Sequence, residues 1–168
     1  MDQTIRPSGD SFKGIDYPYG RTHYDYVSDQ LNYPTIGAEI NGWQYDTYTL
    51  PSPVRTGSVS NVRVYVRCQS RPNADGQKCK TVINSGGGIY YGSENVLVGS
   101  VWNDYYTDYT TNPYTSTAWT WDDVDNLLAG VALMGMGPSA SYAECAEVWV
   151  VVTSFLEAGG GEQIIGFM

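Results

Sequence analysis

Residues 57 to 69 carry the sharpest pattern in the chain: Val62, Val64, Val66 and Cys68 alternate with Asn61, Arg63, Tyr65 and Arg67. A period of two is that of a strand with one face on a core and the other face wet. Neighbouring stretches read the same way with less regularity. Thr35 to Ile40 and Trp43 to Leu50 are rich in β-formers and Pro51-Ser52-Pro53 closes that section, while SRPNADGQ, residues 70 to 77, reads as a hairpin loop with Asp75-Gly76 at its tip. The partner strand spans 78 to 84, Gly86-Gly87-Gly88 permits a tight reversal before Ile89 to Tyr91, and Val96, Val98, Ser100 and Trp102 continue the sheet. NDYYTDYTT, residues 103 to 111, reads as a tyrosine-lined edge. Val131 to Met136 is a short strand, and AECAEVWVVVTSF, residues 143 to 155, is a central one whose unbroken Val148 to Val152 run predicts cover on both faces.

One stretch departs from this period. In NPYTSTAWTWDDVDNLLAG, residues 112 to 130, Asn112-Pro113 marks a turn, Thr120 caps a helix start, and Asp123 stands three positions on, where a capping box needs its acid. Val124, Leu127 and Leu128 then form one apolar stripe and Gly130 is a natural stop, which predicts a single helix over about 120–129. Trp119 and Trp121 either anchor this crossover in the core or stand exposed.

Short strands separated by turn signals, with one small helix in a crossover, predict an all-β fold: an antiparallel two-sheet sandwich, jelly-roll-like. The body is expected over 37–155. Residues 1–36 hold few aliphatics but carry Tyr17, Tyr19, Tyr24, Tyr26 and Tyr33 among three prolines, which reads as an extended arm that packs on a partner or lies over its own domain. Residues 156–168, EAGGGEQIIGFM after Leu156, read as a glycine hinge leading to an apolar tip of Ile164, Ile165, Phe167 and Met168, a second docking arm.

Composition supports the β reading and narrows the partners. The 168 residues include 19 glycines and 15 tyrosines, and only 16% are charged. A formal net charge of −9, with nine basic residues spread along the chain, argues against nucleic acid and anionic membranes. No stretch approaches the roughly 18 apolar residues of a membrane span, and MDQTIRPSGD has no basic run followed by an apolar core, so no secretory leader is expected. Three cysteines, Cys68, Cys79 and Cys145, cannot all pair within one chain; buried thiols are expected, with a Cys68–Cys79 bridge across the hairpin as the alternative.

Taken together, VRVYVRC, CKTVINSGGGIYYG, NPYTSTAWTWDDVDNLLAG and a late cysteine before VWVVV resemble a β-sandwich domain that recurs in predicted tailed-phage virion proteins. The resemblance covers roughly residues 43 to 154, with Trp119-Thr120-Trp121 to Gly130 as its most specific part. It implies a structural protein of a virus particle, in capsid, neck or tail, and carries no catalytic residue with it.

No catalytic, cofactor or metal site is expected. Asp122, Asp123 and Asp125 suit a helix start and lack calcium-loop spacing; His23 is the only histidine, and no elbow motif surrounds a serine. The leading expectation is a non-enzymatic virion protein, a capsid decoration or cement subunit, made in the host cytoplasm and clasping major capsid or tail subunits through its arms as a homo-oligomer. A neck or tail component is a close variant. From a different class comes a carbohydrate-binding module recognising host surface glycans, with Trp102, Tyr105, Tyr106, Tyr109 and Tyr114 as its exposed platform.

Overall fold

The computed structural model describes residues 1–15, 23–28, 36–38, 42–71, 76–135 and 142–156. Within them the chain forms β1 (Asp2–Ile5), β2 (Gly9–Lys13), α1 (Tyr24–Val27), β3 (Ile36–Ala38), β4 (Trp43–Thr49), β5 (Ser58–Arg71) and β6 (Lys78–Ser85). There follow β7 (Gly88–Tyr91), β8 (Asn95–Val96), β9 (Asn103–Tyr109), α2 (Trp121–Asp125), β10 (Leu128–Met134) and β11 (Tyr142–Phe155). Sheet A has the order β1-β11-β5-β9, with β3 also on β11; sheet B has the order β2-β4-β10-β6-β7, with β8 on β6. Every pairing between these strands is antiparallel. The long strands alternate between sheets, β4 in B, β5 in A, β6 in B, β9 in A, β10 in B and β11 in A, which is the jelly-roll habit. The chain is thus the all-β two-sheet sandwich that its period-two pattern describes.

The core lies between the sheets in two clusters. β5 delivers Val62, Val64, Val66 and Cys68 inward, and β11 meets them with Val148, Val150 and Val152. The apolar run of β11 is not covered on both faces as expected: Trp149 and Val151 are only half-buried on the outside of sheet A. All three cysteines are free and buried, and they share one cluster. Cys68 lies in sheet A and Cys79 in sheet B, because the chain changes sheets between β5 and β6 instead of folding back as a two-stranded hairpin. Burial pushes the Cys68 thiol well above its usual range, and hydrogen bonds with Cys145 and Cys79 add to the shift.

The capped helix is present but shorter than expected. Thr120 Oγ1 accepts from the Asp123 amide at 3.1 Å and Asp123 Oδ2 accepts from the Thr120 amide at 2.9 Å, a complete capping box. The helix ends at Asp125, however, and Leu128 already opens β10. Gly130 is not a helix stop but a mid-strand residue, where a Cβ would lie 1.9 Å from the Asp46 carbonyl oxygen. The strand expected through Val96, Val98, Ser100 and Trp102 is also corrected: only Asn95 and Val96 pair, and Val98 and Val101 are exposed.

The described start of the segment expected as an arm is part of the body. β1 pairs with β11 and β2 with β4, so residues 2–13 extend both sheets. Their sequences, DQTI and GDSFK, are polar edge strands that bury little, which is why no alternation announces them. Asp10 and Asp46 then fasten the segment that follows: Asp10 accepts from the amides of His23 (3.0 Å) and Tyr24 (2.6 Å), and Asp46 from those of Gly14 (2.8 Å) and Ile15 (2.9 Å). Among the described residues no helix is long and apolar enough to cross a membrane.

Candidate functional site

Period-two geometry places Arg63, Tyr65 and Arg67 of β5 on the outside of sheet A. The register then sets β11 and β9 beside them in three rows. Glu147, Arg67 and Asp104 form the first row, Trp149, Tyr65 and Tyr106 the second, and Val151, Arg63 and Asp108 the third. With strands about 4.8 Å apart and alternate residues about 6.7 Å apart, the face measures about 10 by 13 Å.

The middle row is aromatic across all three strands. Trp149 and Tyr65 stack in parallel with ring centroids 4.7 Å apart, and Tyr106 follows at 5.4 Å, tilted by 44°. Guanidinium groups bracket the rings: Arg63 stands 4.5 Å from the Tyr106 centroid and Arg67 5.7 Å from that of Trp149. Each Arg also grips an aspartate with two prongs, Arg63 on Asp108 at 2.7 and 2.8 Å and Arg67 on Asp104 at 2.7 and 3.0 Å. Arg63 holds the Asp108 carboxyl below the usual carboxylate range, helped by Asn61. The buried Glu147 accepts from Arg6 at 2.8 Å and lies 3.4 Å from Arg67. Every carboxylate in the rows is therefore met by a guanidinium, and the pairing holds these side chains in place.

The expected glycan platform does not assemble as a unit. Tyr105 and Tyr109 alternate inward from β9 and pack against the two core clusters, and Trp102 is half-buried ahead of that strand. Tyr106 faces outward, 53% exposed, and joins the row just described. Tyr114 is exposed elsewhere, with its ring against Gly86, where a Cβ would lie 2.2 Å from it. Trp119 is buried and donates from Nε1 to the Tyr109 carbonyl at 2.7 Å; Trp121 is half-buried and donates to the Gly57 carbonyl at 2.7 Å.

Of the residues expected to bind a partner, Tyr24 and Tyr26 both sit on α1 against their own core, the domain-flank alternative, not on an open arm. Tyr17, Tyr19, Tyr33, Ile164, Ile165, Phe167 and Met168 lie outside the described residues. Sequence reasoning missed Trp149, which it placed in a strand covered on both sides. The available signal was charge: Arg-x-Tyr-x-Arg at 63–67 and Asp-x-Tyr-x-Asp at 104–108 are complementary strand faces. Among the described residues no group of three or more His, Cys, Asp or Glu side chains is placed to hold a metal ion.

No family model and no curated protein matches the chain. Solved structures similar to it include the CBM36-1 domain of a multidomain xylanase from the hindgut metagenome of Trinervitermes trinervoides, at 10% identity and TM-score 0.40, covering 93% of this chain and 100% of that one. Others are TmCBM61 in complex with β-1,4-galactotriose (13%, TM-score 0.41, 91% and 88%) and the C-terminal CBM6 of the laminarinase LamC from Zobellia galactanivorans (11%, TM-score 0.41, 91% and 100%). These likenesses are to β-sandwich domains, and no residue role is carried over from them.

Proposed function

We propose that the chain is a non-enzymatic glycan-binding sandwich whose sheet A face holds a neutral saccharide. The observation that carries this reading is the Trp149–Tyr65–Tyr106 row, in register across three strands and bordered by guanidinium–carboxylate pairs. A sugar ring is amphipathic: its C–H groups pack on aromatic carbon, while its hydroxyls both donate and accept. The exposed Tyr106 ring and the outer edges of the Tyr65–Trp149 stack meet the first need, and the Arg and Asp pairs meet the second. Pairing neutralises the face although the chain carries −9 overall, which suits an uncharged ligand and repels polyanions at a distance.

A hydrolytic role for these carboxylates is disfavoured by their partners, since Asp108 is held in the charged form that a general acid must leave. The virion role implied by the sequence resemblance is compatible with reading host glycans. Its clasp mechanism, however, draws on terminal segments: residues 2–13 are already built into the sheets, and residues 157–168 lie outside the described structure.

An array of neutral glycans that includes cellotriose and β-1,4-galactotriose tests the reading. Tyr65→Ala and Trp149→Ala should each weaken binding by roughly tenfold, the equivalent of one aromatic contact, with an unchanged circular dichroism spectrum. Silence of the wild type, or wild-type binding by both variants, would sink it.

A further inference from the structure

The opposite face of the sandwich carries a second set of aromatic rings in a different arrangement. Phe12 of β2, Trp43 and Tyr45 of β4, and Tyr91 of β7 all stand on the outside of sheet B. Phe12 is 46% exposed, Trp43 37% and Tyr91 49%. Strands β4 and β7 are separated by β10 and β6, so their backbones are about 14 Å apart. The Tyr45 and Tyr91 ring centroids are nevertheless only 6.0 Å apart. Both side chains must therefore lean inward and lie across the two middle strands.

The residues beneath them explain how they can. Outward positions on the middle strands include Gly130, Ala132 and Val82, in register with Thr47, Tyr45 and Tyr91 respectively. Ala132 and Val82 are completely buried yet belong to neither core cluster. Small residues thus form a floor and the tyrosines a roof over it. Tyr91 meets Tyr45 edge-on at 88°, and Phe12 stacks on Tyr45 with centroids 4.7 Å apart. On sheet A the rings stack mainly on one another; on sheet B they spread over the sheet and turn aromatic surface to solvent.

The charges at the margin are paired as well. Lys78 and Lys80 both reach Glu94, and Lys80 Nζ stands 4.0 Å from the Trp43 centroid. An aromatic sheet whose described border is short and of mixed sign, two lysines sharing one glutamate, matches a neutral sugar better than a polyanion or polycation.

We infer that the Phe12–Tyr45–Tyr91 face of sheet B, with Trp43 at its border, is a second saccharide site, so that one sandwich holds two neutral glycan segments, one on each sheet. The inference takes its ligand class from the function proposed above, but its residues and its test are separate.

The full chain, with Tyr91→Ala, Phe12→Ala, Trp149→Ala and the Tyr91→Ala/Trp149→Ala pair, is titrated calorimetrically with the best array glycan. The wild type should bind two equivalents; Tyr91→Ala and Trp149→Ala, each with one site weakened roughly tenfold, should each keep one equivalent at the wild-type affinity, and the double variant none at that affinity. Circular dichroism and thermal melts establish that each variant is folded, and Tyr91→Phe, which keeps the ring, should restore the second equivalent. A single equivalent that Tyr91→Ala and Phe12→Ala leave untouched overturns the second site and leaves the first standing. Binding lost with Tyr91→Ala but insensitive to Trp149→Ala overturns the first and supports the second. Wild-type silence on the array overturns both. A self-association in sedimentation that Tyr91→Ala abolishes would mark the face as a contact between copies and overturn the inference.

Discussion

His23 Nδ1 lies 2.5 Å from Asp46 Oδ2 in the interior, with 4% of the histidine and none of the aspartate exposed. The same carboxylate oxygen accepts from Tyr48 Oη at 3.1 Å, and the other oxygen holds the Gly14 and Ile15 amides. Asp46 thus ties β4 to two separate parts of the N-terminal segment. His23→Phe keeps the bulk but removes one partner of a buried carboxylate. It should destabilise the fold by about 3 kcal/mol, read as a lower midpoint in urea; an unchanged midpoint would show that the contact does not fasten the segment.

Gly130 sits where β10 passes close to β4. A methyl group there would meet the Asp46 carbonyl oxygen at 1.9 Å, so Gly130→Ala must push strands apart. Loss of about 3 kcal/mol or failure to fold is expected. At Gly42 a Cβ meets nothing within 4 Å, and Gly42→Ala should change stability by less than about 0.5 kcal/mol. Equal behaviour of the two variants in thermal melts would contradict the close approach.

The capping box of α2 gives a smaller effect. Thr120→Ala should cost about 1 kcal/mol, and Asp123→Ala a similar amount because each side chain serves the other's amide. Combining them should add little more, since the first change already breaks the reciprocal pair. Additive losses would mean that the two residues act separately.

Alkaline pH should loosen the core from a predictable point. Burial holds the Tyr48 phenol well above 10.0, with the Asp46 charge as the second cause, and burial holds the Cys68 thiol well above 9.0. Both groups bind their protons more tightly folded than unfolded. The stability they contribute is complete below the unfolded values and declines as pH rises through them toward the folded ones. Melting temperature measured from about pH 7 to about pH 11 should start to fall near pH 9, and Cys68→Ala should flatten the first part of that decline. A level profile across the whole range contradicts this account.

Much of the body is legible in the sequence because one face of each long strand is apolar. Val62 to Cys68 announces β5, and Thr120 with Asp123 announces the start of α2. What local pattern lacks is register. Residues 65, 106 and 149 stand far apart in the chain, and only strand pairing reveals that their rings form one row. Trp149 sits among valines, so hydrophobicity alone places it inside. Strands β1 and β2 escape notice for the opposite reason: at the sheet edges they need little apolar surface of their own. Gly130 misleads because a glycine after a helical stripe commonly ends a helix, whereas here the crowding comes from a strand more than eighty residues earlier.

The pairing of β1 with β11 joins Asp2 to Thr153, and the long β5–β11 ladder joins Val62 to Val152. Contacts this distant along the chain close large loops, so they form late and make folding slow. Until β11 arrives, β1 has no neighbour in sheet A and β5 has one open side. Docking of that one strand completes the sheet and brings Trp149 to Tyr65 in a single event. Pairing of β5 with β9 supplies only the Tyr65–Tyr106 part of the row; its third ring arrives with β11, so the complete row reports that the last strand has docked and the sheet is closed.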